Sequence, residues 1–115
     1  MLTHHDAAFS TLIDRVARYG AATAAWDDLY AWFGAEEIDA SVWRAVHARF
    51  GEICAHYGFE EVPELSVYRF DAFFTLIREG ADDEGVAIIG ADGTLEEEEE
   101  SEDEAEDSEE ELNKQ

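Results

Sequence analysis

Residues 62–80 read VPELSVYRFDAFFTLIREG and combine the chain's one proline with three of its seven phenylalanines. At 100° per residue, this stretch forms one apolar stripe along a helix and a second apolar group on another side. The stripe contains Val67, Phe70, Phe73, Phe74 and Ile77, and the second group contains Leu65, Tyr68 and Leu76. Pro63 suits the start of a helix, and Ser66 is an alternative cap. The stretch therefore predicts a helix that is apolar on two sides, either the central helix of the domain or half of a dimer interface.

Three further helices are predicted on the N-terminal side of this stretch. Each combines apolar residues at helical spacing with a capping residue before them and a glycine after them. The predicted helices span 3–20 with Thr3 and Asp6 as a capping pair, 23–34 with Thr23 as the cap, and 39–58 with Asp39 as the cap. Their inward stripes are Phe9, Leu12, Ile13 and Val16, then Trp26, Leu29, Tyr30 and Phe33, then Val42, Val46, Phe50, Ile53 and Tyr57.

On the C-terminal side, residues 84–97 (EGVAIIGADGTLEE) predict a short β-hairpin whose turn is GADG. Two strands alone are marginally stable in water, so this hairpin must pack on the helices or pair with another chain. The fold class expected from the sequence is mainly α: a small domain of about four helices with a short C-terminal β-hairpin, followed by a disordered acidic tail.

The end of the chain is strongly acidic. Residues 96–115 contain thirteen acidic residues, one lysine and two apolar side chains. Such low hydrophobicity and high charge predict a disordered segment, whereas residues 1–95 hold all fourteen aromatic residues and predict one globular domain. The net charge of −23 divides into −12 for residues 96–115 and −11 for residues 1–95, so the predicted domain is acidic as well.

This charge and the sparse cysteine content exclude several classes of protein. Direct binding to nucleic acid is disfavoured because it requires Lys and Arg to displace phosphate counterions, and anionic membranes are disfavoured for the same reason. Cys54 is the only cysteine, so neither an internal disulfide nor a cysteine-based zinc site can form. The N-terminus lacks a basic leader, and no apolar run approaches roughly 20 residues. We therefore expect a cytoplasmic protein.

Patterns typical of catalysis or metal binding are weak. If residues 88–99 formed a calcium-binding loop, two ligand positions would fall on Ile88 and Gly90, which lack side-chain oxygens. His47 and His56 are nine residues apart and fall on opposite sides of their helix, so they cannot form a helical zinc pair. No nucleophile elbow, phosphate-binding loop or dinucleotide-binding glycine pattern is present in the sequence. We expect a non-enzymatic protein with no cofactor and no metal.

The acidic clusters are the main functional signal. Those that precede predicted helices are explained in part by capping, since negative charge at a helix N-terminus contributes about 0.3–1 kcal/mol. Capping does not account for Asp27 and Asp28, for the 82–84 loop or for the tail. The predicted partner-binding residues are Asp27, Asp28, Trp32, Glu36, Glu37, Asp39, Glu60, Glu61, Asp82, Asp83, Glu84, Glu96, Glu97, Glu98, Glu99, Glu100, Glu102, Asp103 and Glu104. Among them Trp32 is the candidate apolar anchor, with completion of the core or a dimer contact as the alternative.

In size, in charge and in its ending TLEEEEESEDEAEDSEEE, the chain resembles the DNA-mimic proteins of phages and mobile elements, such as the Ocr-like anti-restriction proteins. The resemblance includes no sequence motif. It implies a small, mainly helical protein that inhibits restriction enzymes, nucleoid proteins, gyrase or CRISPR effectors. One feature departs from this pattern: the acids of the body group near helix ends, whereas a rigid mimic is expected to line them along one surface.

The sequence thus favours an inhibitor or modulator that occupies the basic cleft of a nucleic-acid-binding protein. One alternative is a chaperone or adaptor whose acidic tail shields a basic partner. The other is a small domain adapted to a high-salt cytoplasm, where acidic surfaces maintain solubility. A homodimer is compatible with each of these functions.

Overall fold

The computed structural model describes residues 1–79 and 86–97, and within these ranges the chain forms three helices and a five-stranded antiparallel sheet. The elements are α1 (Thr3–Tyr19), β1 (Ala21–Ala25), α2 (Trp26–Phe33), α3 (Ala40–His56), β2 (Leu65–Arg69), β3 (Phe73–Arg78), β4 (Val86–Ile89) and β5 (Leu95–Glu97). The strand order is β1-β3-β2-β4-β5. The fold is therefore α+β, and the prediction of a mainly α domain with four helices is wrong.

The stretch 62–80 accounts for most of this difference. Its predicted helix is replaced by a hairpin in which β2 and β3 pair from Leu65–Arg78 to Arg69–Phe74. Side chains of a strand alternate between two faces, so the many apolar residues of this stretch divide between the faces of the sheet. Leu76 is buried, whereas Phe73 is 42% exposed. The two apolar sides inferred for a helix do not correspond to these faces, because Phe73 and Phe74 of the same predicted stripe lie on opposite faces of the sheet. Neither a central helix nor a helical dimer interface exists in this stretch.

A second correction concerns the start of α2. Residues 21–25, which include the predicted cap Thr23, form the edge strand β1, and the Thr23 hydroxyl lies 2.7 Å from the Thr75 hydroxyl on β3. The helix begins only at Trp26, whose backbone N–H donates to the Ala72 carbonyl oxygen at 3.2 Å. Residues 23–25, which the sequence pattern assigned to the first turn of a helix, thus pair with β3 as part of a strand.

The other helix ends follow the sequence more closely. Gly20 and Gly34 adopt left-handed conformations after α1 and α2, as predicted for C-terminal caps. Asp39 caps α3 by accepting hydrogen bonds from the Ser41 and Val42 backbone N–H groups. The predicted Thr3 cap is wrong, because α1 begins at Thr3 without a side-chain cap hydrogen bond.

The predicted C-terminal hairpin is confirmed, and its partner is the sheet. β4 pairs with β5 and also with β2, which extends the β2–β3 hairpin instead of leaving two isolated strands. The turn between β4 and β5 packs on the start of α3: a Cβ at Gly93 would overlap the backbone carbonyl oxygen of Ala40. Gly93 also has a φ of +92°, which favours glycine.

The helices cover one face of the sheet, and the core lies between them. The buried cluster joins apolar residues of α1, α2 and α3 to inward residues of β2, β3 and β4. Phe74 is fully buried at its centre, with ring-centroid distances of 4.8 Å to Trp26 and 6.3 Å to Trp43. The opposite face of the sheet carries Tyr68, Phe73 and Thr75 in alternation with these inward residues, and we call it the outer face.

Candidate acidic interface

An acidic concavity forms where the start of α2 meets the turn between β2 and β3. The Trp26 indole N–H donates to the Phe70 carbonyl oxygen at 2.6 Å and fixes α2 on that turn. Asp27, in the first turn of α2, then lies beside Asp71 of the turn, and Glu37 approaches from the loop before α3. These three carboxylates share a concavity of about 520 Å³ with Trp26, Tyr30 and Ile38.

The carboxylates of this concavity have no ion-pair partner among the described residues. The ion pairs within residues 1–79 and 86–97 join Arg18 to Asp14 at 2.7 Å and Arg49 to Asp6 at 2.9 Å and Glu52 at 3.6 Å. One pair lies within α1, one lies within α3, and one joins the two helices. None of these pairs involves Asp27, Glu37 or Asp71.

The sequence predicted Asp27 and Glu37 as partner-binding residues but not Asp71. The periodicity of 62–80 places Asp71 inside a predicted helix, among apolar residues and away from the other acidic clusters. The RFDAF segment could have indicated a turn only through its aspartate, since it contains no glycine, proline or asparagine.

Asp28 and Trp32 lie away from the concavity. Both line a groove of about 640 Å³ between α1 and the edge strand β1, which also contains Arg15 and Arg18. Trp32 is half-buried, and its ring centroid is 6.0 Å from that of Phe9 in the core. Asp28 thus lines the same groove as two arginines of its own chain, and Trp32 packs against the core.

The remaining predicted acids are dispersed. Glu36 is exposed in the loop before α3, and Glu60 and Glu61 are exposed in the loop before β2. The loop that carries Glu60 and Glu61 leads into the first residue of β2, Leu65, whereas the acidic concavity lies beyond the last residue of β2, Arg69. The length of β2 therefore separates Glu60 and Glu61 from the concavity.

The start of the acidic tail belongs to the sheet. Glu96 and Glu97 lie in β5, opposite Ile88 and Ala87 of β4. Since β4 runs antiparallel to both β2 and β5, β5 runs in the same direction as β2 and ends on the side of the β2–β3 turn. The other predicted partner-binding acids lie outside the described residues: Asp82, Asp83, Glu84, Glu98, Glu99, Glu100, Glu102, Asp103 and Glu104.

Asp39 has a structural role that competes with partner binding. A hydrogen bond from the Ser41 hydroxyl, reinforced by one from the Val42 backbone N–H, holds the pKa of the Asp39 carboxyl below its usual 3.8. A partner that bound this carboxylate would have to compete with the cap of α3.

The contribution of Asp39 to stability is expected to depend on pH. Because its pKa is lower in the folded chain, the folded state binds the proton less tightly than the unfolded state. The stabilisation is therefore fully present above the ordinary pKa of 3.8 and is lost as the pH falls through the lower folded value. Thermal unfolding of the wild type and Asp39→Ala, which cannot accept the cap hydrogen bonds, should show a difference in Tm at neutral pH that shrinks on acidification. A difference that stays constant across this range would contradict the capping role.

Sequence analysis missed an aromatic stack next to the concavity. We use this term for Tyr68, Phe70 and Phe73, whose ring centroids are 5.0 Å apart for the first pair and 4.6 Å for the second. Phe70 and Phe73 are each 42% exposed. The alternation of exposed and buried residues along 65–78 would have found this stack if the stretch had been interpreted as a hairpin.

The described residues offer little else that could support chemistry. No group of three or more potential metal ligands occurs among them. Asp92 accepts a hydrogen bond from the Thr94 backbone N–H at 3.0 Å, which stabilises the β4–β5 turn. Cys54 is buried, and this burial raises the pKa of its thiol, as expected for a small core residue.

Comparison with protein family models, with characterised proteins and with solved structures gives no match for this chain. Among the helices of residues 1–79 and 86–97, none has the length and apolar character needed to cross a membrane.

Proposed function

We propose that this protein is a non-enzymatic inhibitor or modulator that acts in the cytoplasm by occupying the basic cleft of a nucleic-acid-binding protein. The observation that supports this proposal best is the acidic concavity, in which Asp27, Glu37 and Asp71 converge without an ion-pair partner among the described residues. A basic partner would supply the positive charge that these carboxylates lack among the described residues.

The acidity of the chain matches the charge that such a cleft normally binds. Duplex DNA carries one negative charge per roughly 1.7 Å of its axis, and proteins bind it through arrays of Lys and Arg. A chain with 30 acidic residues and seven basic ones can engage the same arrays without imitating the bases.

The position of the tail supports the same partner. Eighteen residues follow Glu97, and a chain of this length spans at most roughly 60 Å when fully extended. Since β5 ends on the side of the β2–β3 turn, the tail starts at the end of the sheet that bears the concavity. Both groups of carboxylates could therefore engage one basic groove, the concavity as a fixed contact and the tail along its length.

Capture from a cell lysate at low salt tests this function. The immobilised full-length chain should retain nucleic-acid-binding proteins, and added duplex DNA should release them because both ligands compete for the same cleft. A chaperone or adaptor would retain basic partners that DNA does not release. Retention of no basic protein would contradict both functions.

A further inference from the structure

The aromatic stack lies on the outer face of the sheet, opposite the face that packs on the helices. Tyr68 ends the apolar part of β2, Phe70 lies in the turn, and Phe73 begins β3. The three rings are nearly parallel, with interplanar angles of 18° and 25°. Two adjacent phenylalanine rings that are each 42% exposed form one contiguous apolar surface that a partner side chain can reach.

The backbone beneath this stack is held in place. The Phe70 backbone N–H donates to the Phe73 carbonyl oxygen at 2.9 Å and closes the turn, and the Phe70 carbonyl oxygen accepts from the Trp26 indole. Alternation places Arg69 and Phe74, the neighbours of the stack in sequence, on the opposite face of the sheet. The exposed rings are therefore presented on a fixed hairpin.

One carboxylate belongs to the same turn as this apolar surface. Asp71 lies in the turn between Phe70 and Phe73, and it also lines the acidic concavity with Asp27 and Glu37. Rings next to unpaired carboxylates fit a cation that is planar and weakly hydrated, because such a cation can stack on a ring and pair with a carboxylate at once. The guanidinium group of arginine has both properties, whereas the ammonium group of lysine is compact and strongly hydrated.

We propose that the aromatic stack is the docking site for an arginine-bearing segment of the basic partner, with arginine preferred over lysine. This inference rests on the proposed function, since it assigns the part of the surface that recognises the same partner. The guanidinium group stacks on the exposed rings of Phe70 and Phe73, and Asp71 pairs with it from the turn. The net negative charge of the chain attracts the basic partner, and the aromatic stack makes arginine bind more tightly than lysine.

Two other occupants of this surface are disfavoured by charge. A second copy of the chain would bring another net charge of −23 to the same face. Bases of single-stranded nucleic acid stack on exposed aromatic residues in many proteins, but their phosphates would here approach carboxylates instead of a basic groove. Both occupants are outcomes of the experiment below.

The experiment compares fluorescently labelled hexa-arginine and hexa-lysine peptides that bind the full-length chain at low salt, measured by fluorescence anisotropy. The wild type should bind the arginine peptide more tightly by about two- to fivefold, the size expected for stacking on exposed rings. The double variant Phe70→Ala/Phe73→Ala should bind both peptides with equal affinity. Phe70→Leu/Phe73→Leu, which keeps apolar bulk without aromatic rings, should also lose the preference.

The matched control is Tyr19→Ala, which removes a ring that is 68% exposed at the end of α1, far from the turn in the fold's topology. It should keep the arginine preference. Equal affinity of the wild type for both peptides would overturn the inference and leave the proposed function intact, whereas failure to bind either peptide would overturn both. Binding of labelled oligo-dT that requires Phe70 and Phe73, or a dimer in sedimentation that the double variant dissociates, would also overturn the inference.

Discussion

Replacing Phe74 with alanine is expected to lower the free energy of unfolding by about 3–5 kcal/mol. The Phe74 ring is fully buried and lies between Trp26 of α2 and Trp43 of α3, so its loss leaves a cavity where the sheet and two helices meet. Chemical denaturation followed by tryptophan fluorescence measures this loss directly, because both indoles contact the ring that is removed.

Phe73→Ala is the matched control, since it removes the same side chain from the adjacent position. Phe73 is 42% exposed on the outer face, and its loss should cost about 1 kcal/mol or less. The helix predicted from the sequence placed both rings on one apolar stripe, so it predicted similar losses for the two variants. Similar losses for the two variants would contradict the β2–β3 hairpin.

Gly93→Ala is expected to cost about 2–5 kcal/mol, in two parts. An alanine at a φ of +92° is strained by about 1–2 kcal/mol. The added Cβ would also overlap the Ala40 carbonyl oxygen, and relief of that overlap requires the β4–β5 turn to move away from α3. Overpacking of this kind adds about 1–3 kcal/mol. Denaturant unfolding of the full-length chain measures the sum.

Gly58→Ala separates the two parts. Gly58 has the same φ of +92°, but a Cβ there would meet nothing within 4 Å. This variant should lose only the strain of about 1–2 kcal/mol. If Gly93→Ala were no more destabilising than Gly58→Ala, the β4–β5 turn would not pack on the start of α3.

The parts of the fold that local signals specify could be predicted from the sequence. Gly20, Gly34 and Asp39 act through their own backbone or the adjacent turn, so the helix ends that they define are largely as expected. The β4–β5 hairpin was predicted for the same reason, since the turn residues of GADG lie between short apolar and polar runs.

The stretch 62–80 could not be interpreted in this way because its signals conflict. It is so rich in apolar residues that its pattern fits both the 3.6-residue period of a helix and the 2-residue period of a strand. Asp71 is the only residue of its turn that is typical of hairpins, and β1, which pairs with β3, is more than 40 residues away in sequence. This stretch forms strands because β3 pairs with β1, a contact between residues far apart in the chain. Such a contact cannot be recognised from one sequence alone.

The candidate interface likewise combines features that the sequence shows with features that depend on contacts between distant residues. Asp27 and Glu37 could be identified by their charge, but their proximity to Asp71 depends on the Trp26–Phe70 hydrogen bond between α2 and the hairpin. Acids that look equivalent in the sequence, such as Glu60 and Glu61, lie beyond the other end of β2. The sequence specifies how much charge the chain carries, and the fold specifies which charges act together.

The central claim is that negative charge is the working part of this protein, and one measurement tests it most directly. Capture of basic proteins from lysate is compared for the wild type and for a variant in which the predicted partner-binding carboxylates of body and tail are converted to amides. We predict that the amide variant, confirmed as folded by circular dichroism, retains none of the DNA-releasable proteins that the wild type retains. Retention of the same proteins in the same amounts by the amide variant would contradict the account.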